Sequence, residues 1–122
     1  MKILYVEDDP MMVKLYQSKF ELEGFETIVA QDGKTALEKL AENPNLILLD
    51  LMLPAMDGFE LLEKIKKDPK YTNVPVIVLS ILGQDSDIAR AKQLGAVNYL
   101  VKEEVTPARV VEIIRQYFSK GK

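Results

Sequence analysis

Apolar and polar positions divide the chain into short apolar runs separated by amphipathic ones. Ile3–Val6, Thr27–Ala30, Leu46–Leu49, Val76–Leu79 and Tyr99–Val101 are β-prone and bounded by polar or turn residues. They are apolar throughout rather than at every second position, the pattern of strands covered on both faces. The stretches between them read as helices with legible ends. Asp9-Pro10 offers an N-cap followed by proline at the first helical position, Val13, Tyr16 and Phe20 form one apolar stripe, and Gly24 ends the helix. A second helix is predicted from about Lys34 to Glu42 around Ala36, Leu37 and Leu40, stopping before Pro44. A third begins near Gly58, turns Leu61, Leu62 and Ile65 inward, and ends before Pro69. A fourth follows Asp85 and stops at Gly95, and a fifth opens on Thr106-Pro107 and buries Val110, Ile113, Ile114 and Tyr117.

Five βα units in 122 residues predict an α/β fold, a parallel sheet with helices on both faces joined by right-handed crossovers. That length suits one core, so residues 1–122 are read as a single domain. Ligands of such sheets bind beyond the carboxyl ends of the strands.

Composition narrows the chemistry. The chain is 48% hydrophobic and 29% charged, with no repeat or low-complexity run. The opening MKILYVEDDP has too short an apolar run for a signal peptide, and no stretch approaches membrane-spanning length. A cytoplasmic protein without membrane contact is expected. With no Cys and no His, disulfides, thiolate chemistry and a His-dependent triad are excluded, and zinc is disfavoured. Any base or ligand must be a carboxylate, hydroxyl, amine or backbone carbonyl, a donor set that favours Mg²⁺, Mn²⁺ or Ca²⁺. A net charge of −3 without a basic stripe argues against direct nucleic-acid binding.

The strand ends carry the candidate chemistry. The first exits into Glu7-Asp8, the third into Asp50, the fourth into Ser80 and the fifth into Lys102. Singly, each has an ordinary structural reading: a cap or solvated turn for Asp50, first-turn acids for Glu7 and Asp8, an N-cap for Asp9. Ser80 reads as a turn hydroxyl, Lys102 as a surface lysine and Tyr99 as a core ring. Together they stand on one edge of the sheet. Clustered carboxylates repel one another unless a cation sits among them, and an apolar run such as that around Asp50 does not tolerate a lone charge. A lysine and a hydroxyl beside them can cradle an anion, so the set looks like a phosphoryl-transfer site with a carboxylate as nucleophile.

VEDDP (6–10), LLDLMLPAMDGFELL (48–62), PVIVLS (75–80) and GAVNYLVK (95–102) together resemble the receiver domain of two-component response regulators, over essentially the whole chain. The resemblance implies a flavodoxin-like, doubly wound (βα)5 fold of the chemotaxis-regulator kind, with strand order 2-1-3-4-5. It implies that Asp50 is the phosphoacceptor. It further implies that Mg²⁺, or Mn²⁺, is held by Glu7, Asp8, Asp50 and the backbone carbonyl of Met52, with Asp8 a direct ligand and Glu7 acting through water. Ser80 resembles the switch hydroxyl, Tyr99 the aromatic rotamer switch and Lys102 the lysine that pairs with the phosphoryl group. Pro54, Asp57 and Gly58 resemble the residues that shape the loop after the acceptor. The implied partners are a sensor histidine kinase or phosphotransfer protein and a downstream effector or output domain. The chain itself is expected as a monomer, or a weak dimer through its fourth helix, fifth strand and fifth helix. It is expected to catalyse only its own phosphorylation and slow autodephosphorylation.

Three positions depart from the family pattern. Lys102 is followed by Glu103 where the family usually has proline after a cis bond; a cis bond to another residue costs about 3 kcal/mol, so a trans bond with Lys102 still reaching the site is expected. Ile81 is bulky where a small residue is usual, and is expected to narrow access to Asp50. Met52 and Leu82 are apolar where the family tunes hydrolysis, which points to a long-lived aspartyl phosphate. Two readings compete with the receiver. An aspartate-nucleophile phosphohydrolase would need a second Asp where Met52 stands, and a non-phosphorylated interaction module would lack the acceptor, acidic pair or lysine, all present here. An FMN site lacks its phosphate-cradling loop after the first strand. The sequence ends at Ser119-Lys-Gly-Lys, which suits either a stand-alone regulator or the receiver of a longer protein.

Overall fold

Each apolar run becomes a strand, and each amphipathic stretch a helix, in a computed structural model that describes residues 1–119. The chain runs β1 (Lys2–Val6), α1 (Pro10–Leu22), β2 (Glu26–Ala30), α2 (Gly33–Lys39), a 3₁₀ turn (Leu40–Glu42) and β3 (Leu46–Leu49). It continues with α3 (Gly58–Lys67), β4 (Val76–Ser80), α4 (Asp85–Gln93), β5 (Asn98–Val101), a second 3₁₀ turn (Lys102–Glu104) and α5 (Pro107–Ser119). Lys120 to Lys122, read as the tail beyond the fifth helix, lie outside the described residues.

The caps explain most boundaries. Asp9 Oδ1 accepts from the Met11 N–H at 3.0 Å, Asp57 Oδ1 from the Phe59 N–H at 2.9 Å, and Thr106 Oγ1 from the Arg109 N–H at 3.2 Å. The second helix starts one residue earlier than the pattern indicated, because Asp32 Oδ1 caps the Thr35 N–H at 2.7 Å. Its expected last turn is instead the 3₁₀ turn, after which Asn43 adopts φ 58°. Pro44 disfavours the α region at Asn43, which is why the helix cannot continue. Gly24 (φ 88°) and Gly95 (φ 111°) end α1 and α4 in the left-handed region that glycine enters without strain. Tyr117, expected to be buried, is half-buried, with its hydroxyl donating to the Val97 carbonyl at 3.2 Å.

The five strands pair in parallel in the order β2-β1-β3-β4-β5, the topology implied by the family resemblance. Strand alternation divides the interior into two layers. Leu4, Val6, Ile47, Leu49, Val76 and Val78 face α2, α3 and α4. Ile3, Tyr5, Leu46, Leu48, Ile77, Leu79 and Leu100 face α1 and α5. This doubly covered sheet explains the continuous apolar runs. It also carries forward to the residues just past each strand, where the polar groups lie.

Candidate functional site

Two backbone bonds extend the sheet past its strands and fix the first acids. The Glu7 N–H donates to the Ala30 carbonyl and the Asp50 N–H to the Val6 carbonyl, both at 3.0 Å. By alternation Glu7 continues from Ile3 and Tyr5, Asp50 from Leu46 and Leu48, and Lys102 from Leu100, so all three turn to the α1/α5 side. There the Lys102 ammonium lies 2.6 Å from Glu7 Oε1 and 3.0 Å from Asp50 Oδ2. The second oxygen of each acid is held by backbone: Asp50 Oδ1 accepts from the Met52 N–H at 3.1 Å and Glu7 Oε2 from the Asp9 N–H at 3.2 Å. Glu7 and Asp50 are 1% and 3% exposed, whereas Asp8 faces solvent.

Burial pushes the Glu7 carboxyl above its ordinary range; the hydrogen bond from Lys102 pulls it back and the Asp50 charge adds to the rise. Burial by itself would lower the Lys102 ammonium, but Glu7 and Asp50 outweigh it and hold the group above its ordinary value. The site is thus a buried anion pair sharing one cation.

Glu7, Asp8 and Asp50 each offer an oxygen within 4.8 Å of the others, an all-oxygen set with two buried members and one open to solvent. That chemistry fits a hard divalent cation entering from the Asp8 side. Met52 follows Asp50 in the same loop and is 49% exposed.

Ser80 and Tyr99 gather around the loop between β4 and α4 rather than on Asp50. Ser80 is fully buried, and its Oγ accepts from the Leu82 N–H at 3.3 Å. The Tyr99 hydroxyl donates to the Leu82 carbonyl at 2.5 Å, and its half-buried ring packs on the α2/α3/α4 layer. Burial raises the Tyr99 phenol, with the Asp87 charge the next cause. Ile81 is 51% exposed next to Ser80, while Leu82 packs inward against the core. Every described peptide bond is trans, Lys102–Glu103 included, and Lys102 reaches the acids from the start of a 3₁₀ turn. Sequence reasoning overlooked two contributors, the Met52 N–H on Asp50 and Tyr5 directly beneath Glu7. The period-two spacing of residues 3, 5 and 7 was the signal for the second.

Residues 3–115 match the family model of the response regulator receiver domain. The chain belongs to that family. This receiver is 39% identical over 118 residues to the transcriptional regulatory protein CpxR homolog of Haemophilus influenzae, covering 94% of the chain and 51% of that protein. It is 38% identical over 102 residues to the response regulator PleD of Caulobacter vibrioides, covering 83% of the chain and 22% of that protein. The chain therefore spans about half the length of the first of these curated relatives and about a fifth of the second. Among solved structures, the BeF3-activated N-terminal receiver domain of Klebsiella pneumoniae RstA superposes with a TM-score of 0.88 at 31% identity, covering 95% and 97% of the two chains. The Mn²⁺-bound form of the response regulator Rcp1 gives 0.83 at 33% identity, covering 96% and 93%. This is a receiver domain of the two-component kind, a signalling domain in a family that holds Mg²⁺ or Mn²⁺ at an acidic pocket. No helix among the described residues is long and apolar enough to cross a membrane.

Proposed function

We propose that residues 1–122 act as one phosphoryl-accepting receiver in which Asp50 is the acceptor. The supporting observation is the shared cation: Lys102 sits against Asp50 and Glu7 in a buried pocket, poised to follow negative charge. A partner kinase or phosphotransfer protein supplies the phosphohistidine, because this chain has no histidine. An Asp50 carboxylate oxygen attacks phosphorus in line; the O–P bond forms as the P–N bond breaks, and the departing imidazole takes a proton from solvent. Glu7, Asp8, Asp50 and the Met52 carbonyl would hold Mg²⁺ or Mn²⁺, which when bound supplies charge neutralisation at the phosphoryl oxygens. Lys102 exchanges its carboxylate contacts for a phosphoryl oxygen. Ser80 uses its hydroxyl as acceptor towards the Leu82 N–H, which leaves its own proton for donation to the phosphoryl group. That donation draws on the loop to which Tyr99 is bonded, and Tyr99 follows it. The altered surface is then that of α4, β5 and α5, read by an effector, an output domain or a second copy in a weak dimer.

The deciding experiment is intact-mass measurement after incubation with acetyl phosphate and Mg²⁺. Wild type is expected to gain one phosphoryl adduct and Asp50→Asn none. Ile81 stands exposed next to Ser80, so small donors are expected to react slowly and a phosphorylated histidine kinase more quickly. Absence of an adduct with both donors would overturn the assignment in favour of a non-phosphorylated interaction module.

A further inference from the structure

Beneath Glu7, on the same face of β1, lies a phenol without an aligned partner. Tyr5 is fully buried, and its hydroxyl makes no well-aligned hydrogen bond among the described residues, although the Glu7 carboxylate lies within its reach. The ring is well packed, edge-on to Tyr16 and Phe20 with centroids 5.7 and 6.2 Å away. Phenylalanine would serve that packing without burying an unpaired hydroxyl, so the hydroxyl calls for a separate explanation.

Glu7 supplies the context. It follows Tyr5 by two residues, so both side chains leave the strand towards α1 and α5. Its Oε1 is itself a buried oxygen, and the Lys102 ammonium approaches it at 2.6 Å. A donor without an aligned bond thus neighbours an acceptor that, among the described residues, is paired with the Lys102 ammonium. The phenol is raised first by burial and then by the Glu7 charge, ahead of Tyr16 and Asp50, which places the two groups in electrostatic contact.

We propose that the Tyr5 hydroxyl is a positioning group for Glu7, donating to its carboxylate when Lys102 leaves to pair with a phosphoryl oxygen. This rests on the assignment of Lys102 as the phosphoryl partner. Without such a donor, the departure of Lys102 leaves a buried carboxylate with a single backbone N–H, and its desolvation opposes the departure. A charge-assisted O–H···O⁻ bond is short and strong enough to take over that role. Tyr5 therefore keeps Glu7 aimed at the acidic pocket through the exchange. It touches neither phosphate nor metal.

The test is a double-mutant cycle of Tyr5→Phe and Lys102→Ala, read by the urea midpoint without metal and by the dissociation constant for Mn²⁺. With Lys102 present, Tyr5→Phe is expected to leave the midpoint unchanged or raise it, because only an unpaired hydroxyl is lost. With Lys102→Ala, the hydroxyl is already on Glu7, so Tyr5→Phe is expected to lower the midpoint and weaken Mn²⁺ binding about tenfold. That reversal of sign is something loss of packing does not produce. Equal effects in both backgrounds would overturn the proposal. If Lys102→Ala does not fold, the comparison is made on the Lys102 protein with Mg²⁺ and beryllofluoride. Tyr5→Phe should then weaken beryllofluoride binding about tenfold, and unchanged binding would overturn the proposal. Normal adduct formation in the acetyl phosphate experiment, combined with additivity here, would remove Tyr5 alone; no adduct with any donor would remove the phosphoacceptor assignment itself.

Discussion

The ammonium of Lys102 lies closer to Glu7 Oε1, at 2.6 Å, than to Asp50 Oδ2, at 3.0 Å. Two side chains at 1% and 4% exposure thus depend on one cation that is itself only 13% exposed. Removing one partner of a buried ion pair strands the charge that remains. Lys102→Ala is accordingly expected to lose about 3 kcal/mol of folding stability without metal. Saturating Mg²⁺ should recover part of the loss, by neutralising the same carboxylates. Urea unfolding with and without Mg²⁺ measures both, and a loss that Mg²⁺ leaves unchanged would argue against a cation site at Glu7, Asp8 and Asp50.

Gly58 opens α3 against the loop that carries the acceptor, and its N–H donates to the Leu51 carbonyl at 3.0 Å. A Cβ there would lie 2.3 Å from Leu51 Cα and 2.6 Å from Leu51 O. Backbone cannot step aside as a flexible side chain can, so Gly58→Ala should destabilise by about 3 kcal/mol. Because Leu51 adjoins Asp50, Mn²⁺ affinity should fall as well. A native-like urea midpoint in this variant would contradict the packing described.

The Tyr99 hydroxyl ties β5 to the Leu82 carbonyl at 2.5 Å, while the Leu82 N–H is bonded to Ser80 Oγ at 3.3 Å. Tyr99→Phe removes the first link and keeps the ring, at a cost of about 1 kcal/mol. Hydrogen exchange at the Leu82 amide should accelerate in this variant. Unchanged protection would mean that ring packing alone holds the loop.

Met52 is the better placed of the two apolar residues flanking the acceptor, since it is 49% exposed and its N–H sits on Asp50, whereas Leu82 packs inward. Met52→Asn places an amide where it can orient water for attack on the acyl phosphate. Dephosphorylation of the purified phosphoprotein should become several-fold faster, with Leu82→Asn giving a smaller change. An unaltered rate in Met52→Asn would end the argument for an apolar shield.

Alkaline pH should unfold this protein through its buried phenols and its central lysine. Burial raises Tyr5, Tyr16 and Tyr99 above their ordinary 10.0, and contacts with Glu7 and Asp50 raise Lys102 above 10.5 in spite of its burial. A group whose value is raised on folding holds more protons in the native state, so its contribution is complete below the unfolded value and is lost as pH rises through the folded one. The urea midpoint should therefore begin to fall above about pH 10. Tyr5→Phe should flatten that decline, and a midpoint constant to pH 11 would contradict the burial of these groups.

The number and order of elements, their parallel pairing and the caps at Asp9 and Thr106 were legible along the chain. Those two cap within three residues of themselves, and period-two alternation is a property of each strand alone, whereas the caps at Asp32 and Asp57 were not read from the sequence. The second helix was misjudged because its end depends on Asn43 turning left-handed before Pro44, a backbone choice that periodicity does not report. Tyr117 was misjudged because its hydroxyl reaches the Val97 carbonyl, a group on a different element.

The sequence by itself determined that Glu7, Asp8, Asp50, Ser80 and Lys102 would leave one edge of a covered parallel sheet, because strand ends and their facing follow from local periodicity and crossover handedness. Only the tertiary structure decided who meets whom there. Lys102 lies 52 residues from Asp50 in the chain, and its choice of Glu7 as the nearer partner depends on how β5 and the following turn sit beside β1 and β3. The bond from Tyr99 to Leu82 and the unaligned hydroxyl of Tyr5 are likewise set by distances between elements that no local pattern encodes.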